Sequence, residues 1–185
     1  VAYPDHVSPS GVGFDIACGN LACRTDIPAR DVKRSMDAIM DLVSKDISFG
    51  VGRVNQTTGA DSPQDHELFD DEAWKIPEIA KLNIKQKARD QLGTVGSGNH
   101  YVDIFEDENG MVWVGVHFGS RGLGHGLATL FLKLAGGKDG MDVPPALIPK
   151  DSDLGQAYLA AMHLAGRYAY AGREWVARRV ATKIL

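Results

Sequence analysis

Residues 100–117 read HYVDIFEDENGMVWVGVH, and this stretch decides the fold. Residues 101–106 alternate in the manner of a β-strand, and residues 111–116 form a short apolar run. Asn109-Gly110 lies between the two runs, and this dipeptide is a strong signal for a tight turn between strands. The stretch therefore predicts a β-hairpin with a histidine at each end, His100 before the first strand and His117 at the end of the second.

The position of the turn sets the register of this hairpin. A turn at Asn109-Gly110 places His117 diagonal to His100, and a turn at Glu108-Asn109 places the two histidines directly opposite each other. Both registers put the imidazoles on one face, with Cβ atoms roughly 5 to 8 Å apart, whereas a one-residue bulge would reverse the parity. Two imidazoles held at this distance can ligate one metal ion or two neighbouring ions.

The composition is that of an ordinary globular protein, with 185 residues, 44% hydrophobic, 24% charged and a formal net charge of -4. A chain of this length needs no disulfide or metal to fold, so a bound metal is expected to be functional. The two cysteines, Cys18 and Cys23, form no CxxC pair. No apolar run is long enough to span a bilayer and the first residues resemble no leader, so we expect a cytoplasmic protein that does not enter membranes.

Helical periodicity marks two other segments, residues 29–45 and 154–185. Residues 59–78 hold seven acidic side chains against one lysine, which favours a solvated loop or an irregular surface insertion. Together with the hairpin, these segments predict an α+β fold in which helices pack on a mixed sheet. We expect a single domain over residues 1–185 that is incomplete at both ends, because the chain starts without methionine and stops within a helical pattern.

Glycine concentrates in two regions, around residues 11–19 and from residue 93 onwards. In the first region Asp15 and Cys18 are three apart, so in a turn or helix they offer one hard and one soft ligand to a divalent ion. A cysteine among apolar residues is also often just a small buried hydrophobe, and we adopt this interpretation for Cys23. In the second region Ser120 and Arg121 follow His117 in a loop suited to cradling phosphate, although neither region is a P-loop.

Three strings carry a family resemblance: SPSGVGFDIACG at residues 8–19, LGTVGSGNH at 92–100 and HFGSRGLGH at 117–125. In this order and at this separation they resemble the RtcB family of GTP-dependent RNA ligases, and GQAYL at residues 155–159 is similar to a further segment of that family. The resemblance runs from about Val7 to Arg173. Three positions depart from the family pattern: Leu21 in place of arginine, Phe118 in place of serine and Gly172 in place of asparagine.

The resemblance implies a two-ion manganese site, with the cysteine bridging the ions. The ligands implied are Asp15, Cys18, His100 and His117. It also implies three residues near nucleotide or RNA phosphate: Asn99, Ser120 and Arg121. The histidine that becomes guanylylated in the family, and one further metal-binding histidine, are expected beyond Leu185, so no catalytic nucleophile is expected within this chain.

The activity implied is GTP- and Mn²⁺-dependent joining of RNA ends that carry a 3'-phosphate or 2',3'-cyclic phosphate to 5'-hydroxyl ends, in tRNA splicing or RNA repair. RNA and GTP are the implied partners, together with an archease-like activator. The 185 residues alone are expected to bind Mn²⁺ without ligating RNA. Two other classes remain open: a metal-dependent phosphoesterase that kept the metal loops, and a truncated remnant that binds metal without turnover.

Overall fold

The computed structural model describes residues 3–138, 140 and 142–185 of the chain. Its strands, in chain order, are β1 (His6–Val7), β2 (Gly19–Pro28), β3 (Tyr101–Glu106), β4 (Met111–Phe118) and β5 (Ile148–Pro149). Its α-helices are α1 (Pro9–Val12), α2 (Ala29–Val32), α3 (Met36–Asp46), α4 (Pro77–Lys81), α5 (Lys85–Gln91), α6 (Arg121–Leu134) and α7 (Asp153–Arg179). The described strands form two sheets, β1-β5 and β2-β4-β3, so the α+β class is confirmed.

The chain divides into two compact units. The first comprises Val1–Ala17, Asp65–Arg89 and Gly119–Ala169, and the second comprises Cys18–Gln64, Asp90–Phe118 and Tyr170–Leu185. The sheet β2-β4-β3 belongs to the second unit, and its neighbouring strands are antiparallel. The parallel component of that unit is an isolated bridge between Phe49 and Gly96.

One face of this sheet packs on the core of the second unit. Because side chains alternate across a strand, Val102, Val114 and Val116 all point to the same side, and each is at most 5% exposed. α3 contributes Val43 and Ile47 lies just after it, while the end of α7 and the π-helical turn Val180–Ile184 complete the cluster. The opposite face carries the next residues along each strand, among them His117 and Tyr101, which therefore lie outside the core.

The hairpin is confirmed, but both predicted registers are wrong. Tyr101 pairs with His117, and the strands are joined by residues 107–110 rather than by a two-residue turn. The Asp107 side chain explains the longer loop, because its Oδ1 accepts hydrogen bonds from the backbone N–H groups of Asn109 and Met111, both at 2.9 Å. The indole of Trp113 donates to Asp107 Oδ2 at 2.8 Å, and this bond lowers the pKa of the carboxyl.

The two predicted helical segments are confirmed in position. α2 and α3 cover residues 29–46 with a 3₁₀ turn, Lys33–Ser35, between them, and α7 with the π-helical turn covers residues 153–184. The acidic segment at 59–78 differs from the expected solvated loop. It folds into successive 3₁₀ turns, and within the first unit Phe69 and Trp74 are 0% and 7% exposed. Five of the seven acidic side chains are exposed, so the number of acids did not indicate the buried apolar residues between them.

The first unit contains the short sheet β1-β5 and helix α6 with the first part of α7. Phe131 of α6 and Tyr158 of α7 are fully buried, with ring centroids 5.3 Å apart. α6 also lies close to the N-terminal segment of the same unit, since a Cβ on Gly124 would be only 3.1 Å from the Phe14 carbonyl oxygen. This close approach requires glycine, and it fixes the residues that precede Asp15 against the helix that begins at Arg121.

Arg179 of α7 and Asp46 at the end of α3 form a two-pronged ion pair in the second unit, with N–O distances of 2.5 and 2.7 Å. The bond from Arg179 lowers the pKa of Asp46 below its ordinary 3.8. Asp46 therefore stabilises the fold fully above pH 3.8, and this contribution is lost as the pH falls through the lower folded-state pKa.

Replacing Asp46 by asparagine is expected to lower the free energy of unfolding at pH 7 by roughly 1.5–3 kcal/mol, as for hydrogen bonds to charged groups. The free energy of unfolding of the variant should also fall less steeply than that of the wild type as the pH drops below 3.8. Urea denaturation at pH 7 and between pH 4 and pH 2 measures both effects. Asp41→Asn, at an exposed position of α3, is the control and should change neither; an equal loss in both variants would contradict the ion pair's role.

Candidate metal centre

A row of three side chains crosses the sheet β2-β4-β3 on its outer face. His117 of β4 pairs with Asn20 of β2 on one side and with Tyr101 of β3 on the other. The Nδ1 atom of His117 lies 2.7 Å from Asn20 Oδ1, and the Tyr101 hydroxyl donates to the same oxygen at 3.1 Å. The Tyr101 ring stacks on the His117 imidazole with centroids 5.4 Å apart. His117 is therefore held on both sides.

Cys18 lies immediately before β2 and its thiol faces two imidazoles. Its Sγ is 3.4 Å from Nε2 of His117 and 3.7 Å from Nε2 of His100. Metal–sulfur and metal–nitrogen bonds of about 2.3 and 2.05 Å at a tetrahedral angle would separate the two ligand atoms by about 3.6 Å. The observed separations bracket this value, so each imidazole nitrogen lies at ligand spacing from the Cys18 sulfur.

His100 precedes β3 and is held by a carbonyl group. Its Nδ1 lies 2.9 Å from the Val95 carbonyl oxygen. The amide of Val95 in turn donates to the Ser48 carbonyl at 3.0 Å, so the supporting loop is itself fixed. Because a carbonyl oxygen only accepts hydrogen bonds, Nδ1 of His100 carries the proton and Nε2 keeps its lone pair in the neutral ring. The same reasoning applies to His117 against the Asn20 oxygen, so both lone pairs are on the nitrogens that face Cys18.

The imidazole rings of His100 and His117 lie close together, although the predicted strand alternation that placed them on one face is wrong. Their centroids are 6.0 Å apart. In the observed register His117 is opposite Tyr101, and a continued strand would turn His100 to the other face. β3 begins one residue later, at Tyr101, so His100 lies in the loop and is free of strand alternation. The proximity of the imidazoles was predicted, but for the wrong reason.

The glycine loop before His100 needs glycine at Gly93. Gly93 has a φ of +74°, and a Cβ there would lie 2.5 Å from the Trp175 ring and 2.7 Å from the Asn55 amide. Asn55 donates to the Leu92 carbonyl at 2.9 Å, and it also accepts from Thr57. A side chain at Gly93 would therefore displace this packed contact and the loop that carries His100.

Asn99 is also at the centre. Its Nδ2 lies 3.2 Å from His117 Nε2 and, as an amide N–H, donates to the lone pair of that nitrogen. Asn99 and Cys18 are exposed, and His100 and His117 are half-buried, so the group is open to solvent and to a ligand. Among the predicted site residues, the second unit thus brings together Cys18, Asn99, His100 and His117.

The other three predicted site residues belong to the first unit. The carboxylate of Asp15 lies against Gly119, where a Cβ would be 2.3 Å from Oδ1, and the Ser120 amide donates to the Ile16 carbonyl at 3.1 Å. Arg121 begins α6 with a φ of +54°, a strained conformation for a residue with a side chain. Ser120 is fully buried against Gly124. The roles of Asp15, Ser120 and Arg121 stay predictions.

A buried arginine fixes the strand end that carries His117. Arg173 of α7 is 2% exposed, and its Nη1 donates to the Phe118 carbonyl at 2.6 Å. Its guanidinium also lies 4.7 Å from the Tyr170 ring centroid. A charged hydrogen bond made in the interior is strong and directional, so the backbone directly after His117 has little freedom.

Comparison with known proteins gives the family. The family model for the tRNA-splicing ligase RtcB matches residues 1–185. The chain belongs to the RtcB family. It is 31% identical over 217 residues to the tRNA-splicing ligase RtcB of Archaeoglobus fulgidus, covering 94% of this chain and 45% of that protein. It is 29% identical to the RNA-splicing ligase RtcB homolog 2 of Entamoeba dispar, covering 94% of this chain and 41% of that protein.

A third RtcB relative, the tRNA-splicing ligase of Pyrobaculum aerophilum, is 30% identical and covers 91% of this chain and 44% of that protein. The chain thus spans less than half the length of these RtcB relatives. In the part of the chain that the structure describes, no helix is long and apolar enough to cross a membrane.

Two departures from the RtcB pattern are neighbours in the structure. Phe118 is 1% exposed, and its Cε2 would lie 3.1 Å from a Cβ on Gly172. The large ring therefore occupies the space that a side chain at 172 would need. Phe118 and Gly172 therefore pack against each other below His117.

Sequence reasoning missed three groups of this centre: Asn20, the hydroxyl of Tyr101 and the carbonyl of Val95. No motif contains Asn20, and only the pairing of β2 with β4 brings it beside His117. The identity of Val95 does not indicate that its backbone carbonyl accepts a hydrogen bond from His100. The signal that was available is Tyr101, which directly follows His100 and begins the exposed face of the predicted hairpin.

Proposed function

We propose that this protein carries the metal centre of an enzyme that joins RNA ends with a 3'-phosphate or 2',3'-cyclic phosphate to 5'-hydroxyl ends, using GTP and Mn²⁺. The setting proposed is tRNA splicing or RNA repair in the cytoplasm, with an archease-like activator as a further partner. The observation that carries the proposal is the thiol of Cys18 at ligand spacing from two imidazole nitrogens whose lone pairs face it.

The donor set fits a divalent transition metal. A thiolate with two imidazoles alone suits zinc, and the addition of a carboxylate and phosphate oxygens favours manganese. We therefore assign Asp15 as the fourth ligand of a two-ion site, with Cys18, His100 and His117. Bound Mn²⁺ would neutralise phosphoryl oxygens and polarise the phosphorus centre.

Asn99 links metal binding to nucleotide binding in this proposal. Nε2 of His117 has one lone pair, and the Asn99 amide uses it at 3.2 Å. An ion and the amide cannot share that lone pair, so an ion held by His117 would leave the Asn99 N–H groups without this acceptor, at the open side of the centre. They are then free to donate to a phosphate oxygen of the nucleotide.

Arg121 and Ser120 are assigned to phosphate through their position at the start of α6. This helix has 14 residues, and its N-terminal amides and dipole favour an anion. Arg121 adds a guanidinium that can bind two phosphate oxygens at once. The Ser120 hydroxyl is buried and would have to turn outwards to reach the same anion, and the Ser120 backbone N–H already donates to the Ile16 carbonyl. We therefore expect Ser120 to contribute less to anion binding than Arg121.

The proposal is tested with two RNA oligonucleotides, one ending in a 3'-phosphate and one beginning with a 5'-hydroxyl, in the presence of GTP and Mn²⁺. Ligation by the longer protein that contains these residues, abolished by His117→Ala, is expected. The 185 residues alone are expected to bind Mn²⁺ without ligating, because no residue of the matched motifs corresponds to the guanylylated histidine. Cleavage of the 3'-phosphate without joining would instead assign the protein to the phosphoesterases.

A further inference from the structure

Asn20 is placed where it can control His117 from outside the ligand set. It lies directly opposite His117 in the β2-β4 ladder and presents its amide oxygen to Nδ1 at 2.7 Å, the shortest contact that the imidazole makes with the side chains around it. The same oxygen accepts from the Tyr101 hydroxyl at 3.1 Å. Asn20 thus meets the imidazole on the side opposite to the Nε2 atom that faces Cys18.

We propose that Asn20 is a positioning residue, which fixes the tautomer and the ring angle of His117 so that the Nε2 lone pair points to the metal position. An imidazole ligand needs its other N–H bound to an acceptor, because that bond selects the tautomer and increases the basicity of the ligating nitrogen. An amide oxygen accepts only, so it cannot support the wrong tautomer, in which Nδ1 would itself be an acceptor. The link to metal binding rests on the proposed function, whereas the effect on the tautomer does not.

The hydroxyl of Tyr101 and the ring stack complete the arrangement. The hydroxyl occupies the second acceptor site of the Asn20 oxygen and so holds the amide in its orientation. The stack, with 14° between the ring planes, prevents the imidazole from tilting. His100 has a different support, the Val95 carbonyl, so a change at Asn20 should act on one imidazole and leave the other as an internal reference.

The experiment compares Asn20→Leu, which keeps the approximate volume without an acceptor, with Asn20→Asp, which keeps the acceptor. Arg24→Ala is the matched control, since Arg24 lies on the same strand and the same face, with its guanidinium 3.9 Å from the Asp107 carboxylate. Asn20 is exposed, so neither substitution disturbs the core, and a thermal melt verifies folding. Asn20→Ala serves as a second acceptor-free variant that cannot clash.

The first readout is the imidazole tautomer, measured by ¹⁵N NMR of histidine-labelled, metal-free protein at about pH 9, well above the ordinary imidazole pKa of about 6.5. In the wild type and in Arg24→Ala, His117 is expected as the Nδ1–H form. In Asn20→Leu the Asn99 amide can turn its oxygen towards an Nε2–H, so the Nε2–H population of His117 should become substantial while His100 stays unchanged. Asn20→Asp should restore the Nδ1–H form. An unaltered His117 tautomer in both acceptor-free variants would overturn the positioning role, whatever happens to metal binding.

The second readout is Mn²⁺ affinity, measured from the EPR signal of the free ion. Asn20→Leu should bind Mn²⁺ about 10- to 100-fold more weakly, the usual effect of losing such a supporting partner. Asn20→Asp should bind as well as the wild type. If the tautomer shifts and yet the wild type binds no Mn²⁺, the proposed metal function fails and the positioning role stands, so the two failures are distinguishable.

Discussion

Replacement of Cys18 by alanine is expected to reduce Mn²⁺ affinity by about 100-fold or more, since the loss of a supporting partner alone costs 10- to 100-fold. Sγ is the atom that both imidazole nitrogens face, at 3.4 and 3.7 Å, so its removal takes away the donor shared by the group. The remaining imidazoles would hold an ion with water in place of the thiolate. Isothermal titration or the EPR signal of free Mn²⁺ measures the loss.

Cys23 provides a control of the same residue type. It lies five residues later, on β2. Its side chain is on the face of the sheet opposite to that of His117, where it packs against the core of the second unit. Cys23→Ala should leave Mn²⁺ affinity within about twofold and lower the free energy of unfolding slightly, since a small half-buried group is lost. Equal loss of Mn²⁺ affinity in the two variants would assign the effect to folding and remove Cys18 from the ligand set.

The hairpin shows what the sequence could predict about this centre and what it could not. Alternation and the turn dipeptide were sufficient to locate both strands, and with them His100 and His117 at one end of the hairpin. The register depended on Asp107, whose side chain accepts two backbone N–H groups and lengthens the loop. Asp at the start of a turn is a known signal, yet nothing in the sequence ranks it against Asn-Gly.

Contacts between strands far apart in the sequence could not be predicted. The partner of β4 on its other side is β2, about a hundred residues earlier, and this pairing places Asn20 beside His117. No local pattern contains such a contact, because register over that distance is decided by which apolar faces pack together. Phe69 and Trp74 show the same limit: a run of acids predicted a wet segment, whereas the two aromatic residues between the acids decide how it packs.

Phe118 and Gly172 are expected to be coupled energetically, because the ring occupies the space beside the glycine. Phe118→Ser alone should lower the free energy of unfolding by about 3–5 kcal/mol, since it removes a buried ring and leaves a cavity. Gly172→Asn alone should lower it by about 1–3 kcal/mol, because its Cβ meets the ring at 3.1 Å. The double variant restores the serine and asparagine of the family pattern, and the new side chain can enter the space left by the ring.

The double variant should therefore lose less free energy of unfolding than the two single variants together, by about 1–3 kcal/mol. This is the range of interaction energies found for residues in contact. Urea denaturation of the four proteins in this cycle gives the coupling directly. Gly166→Asn combined with Phe118→Ser is the matched control, since a Cβ at Gly166 on the same helix would meet only the Ala17 Cβ, at 4.0 Å. That pair should be additive within about 0.5 kcal/mol. Additivity in the Phe118 and Gly172 cycle as well would mean that the packing below His117 does not depend on the combination of these two residues.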